Sequence, residues 1–320
     1  MSGDPTSQST TLIAVPGVED AVEIGRGGFA TVFRAQQPHL GRQVAVKVLD
    51  KAPDDDLLRR RFARECNALG RLSAHPNIVT LFEAGWTLDG KPFLITECCE
   101  AGSLQQRLDR EGPLPWREAV ALAIRLAGAL GAAHRAGVLH CDIKPANVLI
   151  GDDGEPRLVD FGIARLTELA QGDSTNSPSA TPRYAPPEVF DDAPPAVTRD
   201  VYSLAATLHA LISGEPPIAG GETDSVWALL DRIRRDPPAS LLGFGAPAPV
   251  CAVIERALAK NPAWRQPDID AFVADLAQAA GLAPDAGGQG SPAGTAAPLG
   301  RAALLGAVAP AGAGTPAAGT

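Results

Sequence analysis

His140-Cys-Asp-Ile-Lys-Pro-Ala-Asn147 decides the reading of this 320-residue chain. Asp142 and Asn147 stand five apart in a loop that follows a long apolar stretch, with Lys144 between them. A carboxylate acceptor, a cation and an amide oxygen so placed fit phosphoryl transfer. The Asp orients a hydroxyl and accepts its proton, the Lys stabilises the moving phosphoryl, and the Asn binds a metal. Asp160-Phe-Gly162 begins thirteen residues after Asn147 and adds a carboxylate, an apolar anchor and a flexible glycine.

Working outward toward the N-terminus, Lys47 lies within Val44-Ala-Val-Lys-Val48, an alternating β-branched run that reads as a strand. A lysine turned toward a core needs a partner, because an unpaired buried ammonium is costly. Glu65 can supply it from Asp54 to Leu72, where Leu57, Leu58, Phe62, Cys66 and Leu69 recur at helical spacing. The other reading of Lys47 is a solvent-facing strand residue. Before it comes Gly25-Arg-Gly-Gly-Phe-Ala-Thr-Val32, a glycine-rich turn between the strands Val22 to Ile24 and Thr31 to Arg34. Such a turn lets backbone N–H groups approach phosphate oxygens. Its strand–turn–strand context disfavours a dinucleotide fold, which needs strand–turn–helix. A plain glycine-rich hairpin is the competing reading.

Further strands are expected at Ile78 to Phe82, Pro92 to Thr96, Val148 to Ile150 and Arg157 to Val159. A long helix is expected from Trp116 to Ala136, stopped by Gly137, with mainly helix from Thr198 to about Ala280. A small strand-rich lobe with one helix thus precedes a larger helical lobe.

Composition bounds the partners. The formal net charge of -9 and the lack of a Lys/Arg run argue against nucleic acid or an anionic membrane surface. No run of about 20 apolar residues suggests a membrane span. Cys66, Cys98, Cys99, Cys141 and Cys251 are odd in number and form no CxxC pair, which points to reduced thiols in the cytoplasm. The 33 Gly and 29 Pro are unevenly placed: residues 281–320 hold 28 Ala, Gly or Pro in 40 positions and read as a flexible tail. Residues 1–17 read as a disordered leader, leaving about 18–280 folded.

Taken in order, GRGGFATV (25–32), VAVK (44–47), HCDIKPAN (140–147), DFG (160–162), TPRYAPPE (181–188) and DVYSL (200–204) resemble a eukaryotic-type (Hanks-type) bacterial serine/threonine protein kinase catalytic domain over about residues 18–280. The resemblance implies an α+β, bilobal fold. A small antiparallel sheet with one helix would occupy about 18–99, and a mainly helical lobe about 100–280. It implies a non-specific serine/threonine protein kinase using ATP and Mg2+, with Mn2+ as the alternative ion, on serine or threonine hydroxyls of proteins.

Roles follow residue by residue. Gly25, Arg26, Gly27, Gly28, Phe29 and Ala30 would cover the phosphates, Val32 and Ala45 would flank the adenine, and Ile24 would also contact the nucleotide. Lys47 would hold the α/β-phosphates and pair with Glu65. Thr96 falls at the gatekeeper position, and Glu97 to Cys99 would form the adenine-binding hinge. Asp142 would be the base, with Lys144 marking the serine/threonine type, and Asn147 with Asp160 would bind the metal. Glu188, Arg265 and Asp200 would be scaffold, the first two as a buried ion pair, and His140 a contact behind the Asp-Phe-Gly turn.

Two departures stand out. Ala30 replaces the third glycine of the loop, and Cys141 replaces the arginine of the usual His-Arg-Asp. Cysteine cannot make charge-assisted bonds to a loop phosphate, so activity without activation-loop phosphorylation is expected; another basic residue serving instead is the alternative. Ser174, Thr175, Ser177, Ser179 and Thr181 are candidate autophosphorylation sites, reached through a transient dimer. Cys98, Cys99 and Cys141 are either redox-sensitive thiols or inert small hydrophobes. Two other functions remain open, a pseudokinase scaffold and a small-molecule kinase of related fold. The first usually lacks one of Lys47, Asp142, Asn147 and Asp160, and the second lacks the TPRYAPPE platform.

Overall fold

The computed structural model describes residues 13–28, 30–50, 56–161, 182–191, 193–218, 220 and 225–282. Among them, β1 (Glu19–Arg26), β2 (Ala30–Gln37), β3 (Arg42–Leu49), β4 (Leu81–Trp86) and β5 (Pro92–Glu97) form one antiparallel sheet in the order β1-β2-β3-β5-β4. The alternation in β2 and β3 gives this sheet two apolar faces. Ala30, Leu49, Leu94 and Phe62 fill one face beneath helix α1 (Asp56–Leu72), where the Phe62 and Trp86 rings lie 5.1 Å apart. Phe33, Val44, Val46 and Ile95 fill the other.

That second face is covered by the chain preceding β1. Val15 is buried there, Ile13 and Val18 pack beside it, and the Ala14 carbonyl accepts the Leu88 N–H at 3.0 Å. Within the stretch expected as leader, Ile13 and Val15 therefore belong to the small lobe's packing, while Ala14, Pro16 and Gly17 stay exposed. Residues 1–12 lie outside the described residues, as do 283–320 of the expected tail.

The large lobe is built on α2 (Leu104–Glu111), α3 (Trp116–Arg135), the hairpin β6 (Val148–Ile150) and β7 (Pro156–Leu158), α4 (Val197–Ser213), α5 (Val226–Arg235), α6 (Ala248–Ala257) and α7 (Ile269–Ala279). The alanines of α3 let it approach α4 and α7 closely, and one apolar cluster joins these helices. Helix α4 is buried along nearly its whole length and stops at Gly214, whose φ of 86° favours glycine.

The strand expected at Ile78 to Phe82 begins late. Ile78 and Val79 instead join Leu158 of β7, with the Val79 N–H on the Leu158 carbonyl at 3.0 Å. The segment before β4 is thus pinned to the other lobe, and β4 starts at Leu81. The α1 helix is found as expected, although Asp54 and Asp55 lie outside the described residues.

Helix α2 borders the cleft and begins with a capping box. Ser103 Oγ accepts the Gln106 N–H at 3.2 Å, and Gln106 Oε1 accepts the Ser103 N–H at 2.9 Å. Ser103→Ala is expected to cost about 1 kcal/mol of stability, measured as a lowered urea midpoint with unchanged slope.

Candidate active site

The two lobes meet at a cavity of about 610 Å³. Antiparallel register sets its roof: Val32 pairs with Lys47, Ala45 with Thr96, and Lys47 with Leu94. Ile24, Gly25, Val32, Ala45, Lys47, Thr96, Cys99, Asn147 and Asp160 all line it, as does Leu149 of β6. Leu149 escapes a sequence reading because Val148-Leu-Ile150 is apolar throughout, so alternation cannot say which residue faces the cleft.

The remaining predicted positions fall elsewhere. The Gly27 N–H closes the glycine turn on the Ala30 carbonyl at 2.9 Å, and a side chain at Gly28 would meet open space. The Ala30 methyl points into the core with Leu49, Phe62 and Leu94 rather than toward phosphates. Arg26 is exposed and pairs with Glu23 at 2.7 Å. Phe29 lies outside the described residues. Glu97 turns its side chain away from the cavity, where Oε1 accepts the Thr80 N–H at 2.7 Å and Oε2 the Arg157 Nε–H at 3.0 Å.

Lys47 Nζ lies 2.6 Å from Asp160 Oδ1 in an ion pair across the cleft. Strand β3 aims the ammonium down across the cleft, and Asp160 meets it from a left-handed backbone with φ 68°. Burial alone would raise the Asp160 carboxyl, but the charge of Lys47 and its hydrogen bond outweigh that and hold it below the usual carboxylate range.

Asp142, Lys144 and Asn147 form a second cluster beside this pair. Lys144 Nζ donates to Asp142 Oδ2 at 2.8 Å. The Asn147 amide donates to both the Asp142 carbonyl and Oδ2, each at 2.8 Å. The Asn147 nitrogen is thereby committed, which leaves its carbonyl oxygen to face an acceptor-seeking group. A carboxylate at Asp160 and an amide oxygen at Asn147 are hard donors and fit a Mg2+-type ion that keeps its other positions for phosphate.

Asp200, fully buried at the start of α4, holds the backbone of the loop at His140 and Cys141. Its two oxygens accept the His140 and Cys141 N–H groups at 2.9 Å each, and Oδ2 also meets His134 Nε2 at 2.8 Å. These bonds hold Cys141 in a left-handed conformation with φ 66°, where a non-glycine residue carries strain. His140 packs its ring 4.5 Å from that of Phe161, behind the turn. Glu188 and Arg265 form a bidentate pair at 2.6 and 2.8 Å, with the Arg265 side chain fully buried.

All five cysteines are free. Burial pushes the Cys99 thiol up to about 12 and also raises Cys98, so neither of these cavity-lining thiols is poised as a thiolate. Thr181 and the serines and threonines of 174–179 lie outside the described residues.

Burial also lowers His140, against the upward pull of the Asp200, Asp142 and Asp160 carboxylates, and it lowers His209 against two backbone carbonyls. The unfolded chain gains protons near the ordinary value of 6.5 that the folded chain refuses. The depressed Asp160 acts in the same sense at lower pH. The contribution of these groups to stability is therefore full above about pH 7 and declines as the pH falls toward about 5. A series of urea midpoints across that range should fall, and His209→Gln should flatten the decline.

The family model described as protein kinase domain matches residues 18–265. Serine/threonine-protein kinase PknK of Mycobacterium tuberculosis is 46% identical over 252 residues, covering 78% of this chain and 22% of that protein. Serine/threonine-protein kinase PknL of the same organism is 37% identical over 261 residues, covering 81% of this chain and 64% of that protein. The chain thus spans about a fifth of PknK, at 22%, and somewhat under two thirds of PknL. The crystal structure of the M. tuberculosis PknI kinase domain is similar with a TM-score of 0.65 at 30% identity, covering 85% of this chain and 99% of that one. No helix among the described residues is long and apolar enough to cross a membrane.

Proposed function

This chain belongs to the protein kinase family, and from that premise we propose that it transfers the γ-phosphoryl group of ATP to serine and threonine hydroxyls of proteins. The observation that carries the reading is the meeting of Lys47 and Asp160, at 2.6 Å across the cleft, beside the Asp142–Lys144–Asn147 cluster. Adenine would lie between Val32, Ala45 and Leu149, with its edge on the hinge backbone of Glu97 to Cys99. Lys47 would hold the α/β-phosphates. Asp160 and Asn147 would hold Mg2+, which supplies charge neutralisation at the phosphate oxygens.

Asp142 accepts the proton of the substrate hydroxyl as its oxygen attacks the γ-phosphorus. The bond from that phosphorus to the bridging oxygen breaks, and ADP leaves. Lys144, held by Asp142, stabilises the equatorial charge of the moving phosphoryl. Little else is asked of the protein, since catalysis here is positioning and electrostatics. The TPRYAPPE segment supports a peptide acceptor over a small molecule. The presence of Lys47, Asp142, Asn147 and Asp160 together supports an enzyme over a nucleotide-binding scaffold.

Cys141 supports activity independent of activation-loop phosphorylation. Its backbone is fixed by Asp200, and its side chain offers no cation to a phosphate. Autophosphorylation among Ser174, Thr175, Ser177, Ser179 and Thr181 would then be a product of activity rather than a condition for it. The five free thiols fit a reducing, cytoplasmic setting. Incubation with labelled ATP and Mg2+ and a generic protein acceptor tests the reading. Transfer by wild type and its loss in Lys47→Met are expected. Phosphatase-treated enzyme should start at full rate, and a lag relieved by autophosphorylation would contradict the role given to Cys141.

A further inference from the structure

We propose that Arg157 is a positioning residue for nucleotide binding, bracing the hinge from behind through the Glu97 carboxylate. The inference rests on the reading that the hinge backbone bonds the adenine edge, and it adds how that backbone is held. Cys98 and Cys99 line the cavity, whereas the Glu97 side chain leaves it and runs behind the strand. There it finds one backbone donor, Thr80 N–H at 2.7 Å, and one charged donor, Arg157 Nε–H at 3.0 Å.

Arg157 belongs to β7 of the large lobe. Its other two nitrogens are also engaged: Nη1 donates to the Pro76 carbonyl and Nη2 to the Asp153 carboxylate, each at 3.0 Å. One planar guanidinium therefore ties together the hinge, the connection between α1 and β4, and the β6–β7 turn. The planar fork of an arginine suits acceptors spread on three sides, whereas the three donors of a lysine share one compact nitrogen. The Arg157 and Glu97 side chains are 15% and 22% exposed, so solvent screens the pair only in part.

Without the guanidinium, the Glu97 carboxylate keeps a single backbone donor, and the hinge peptide gains freedom that adenine must remove on binding. Holding the hinge in its binding geometry beforehand lowers that cost. The brace touches neither the phosphates nor Asp142, so it should act on affinity rather than on the chemical step.

Titration with ATP and ADP, together with steady-state kinetics and melting temperature, tests this. Arg157→Gln is expected to weaken nucleotide binding about tenfold and leave kcat at saturating ATP within about twofold of wild type. Glu97→Gln, which keeps the chain length but not the charge, should weaken binding in the same way. The double variant should be no worse than the weaker single one, because both changes cut one link. Arg157→Lys should fall between wild type and Arg157→Gln, and it carries the test if Arg157→Gln does not fold. Unchanged affinity with a lowered melting temperature, a fall in kcat alone, or additive effects in the double variant would each overturn the inference. A wild-type chain that binds no ATP removes the reading of the hinge and the inference together. Wild-type binding with an indifferent Arg157→Gln removes the inference alone.

Discussion

Asp142→Asn is expected to slow phosphoryl transfer by about 10²- to 10⁴-fold, the range for loss of a general base. The amide matches the carboxylate in shape but cannot take the hydroxyl proton. It also weakens the 2.8 Å contact with Lys144, which holds that ammonium beside the reacting phosphoryl. Nucleotide binding should persist, because Asp142 lies outside the set of side chains that line the cavity. Rapid-quench measurement of a single turnover, paired with a nucleotide titration, separates the two. Equal loss of binding and transfer would mean that Asp142 supports the cleft rather than the reaction.

The second large effect concerns stability. Glu188→Ala is expected to cost about 3–5 kcal/mol by leaving the Arg265 guanidinium buried without its counter-charge. Arg265 also donates to the Ala259, Thr198 and Lys260 carbonyls and lies 4.9 Å from the Tyr202 ring, so it cannot swing out to water without breaking that set. The carbonyls satisfy its hydrogen bonds but not its charge. Calorimetric melting should show a fall on the order of 10 °C, larger than for Arg265 and Glu188 replaced together by apolar residues of similar volume. A double apolar variant as unstable as the single one would show that packing, not the unpaired charge, dominates.

Much of the cleft was legible because its chemistry needs rare residue types at fixed places. Lys47 in an apolar strand, and Asp142, Lys144 and Asn147 within six positions, are hard to explain otherwise. The contact of Lys47 with Asp160 was not legible, because 113 positions separate the two and only the fold brings them to 2.6 Å. The start of β4 was misplaced for a related reason. Ile78 to Phe82 is one apolar run, but its first two residues pair with a strand of the other lobe. Periodicity records that a segment is buried, not which partner buries it.

Ala30 illustrates a different limit. By pattern it counts as a degraded glycine; by packing it is a core methyl beside Phe62 and Leu94. Ile13-Ala-Val15 was an apolar signal too short to read against a polar leader, and Arg157 carried no signal at all. A single arginine on a short strand gives no period, and two of its three acceptors, Glu97 and Pro76, lie 60 and 81 positions away.

The central claim is that this cleft performs phosphoryl transfer to serine or threonine hydroxyls. The most direct measurement is acid hydrolysis of a protein acceptor after incubation with the chain, γ-labelled ATP and Mg2+. Labelled phosphoserine or phosphothreonine with wild type, and neither with Asp142→Asn beyond the residual rate, is the predicted result. Label confined to inorganic phosphate or to a small-molecule acceptor, or equal protein labelling by both forms, would contradict the account.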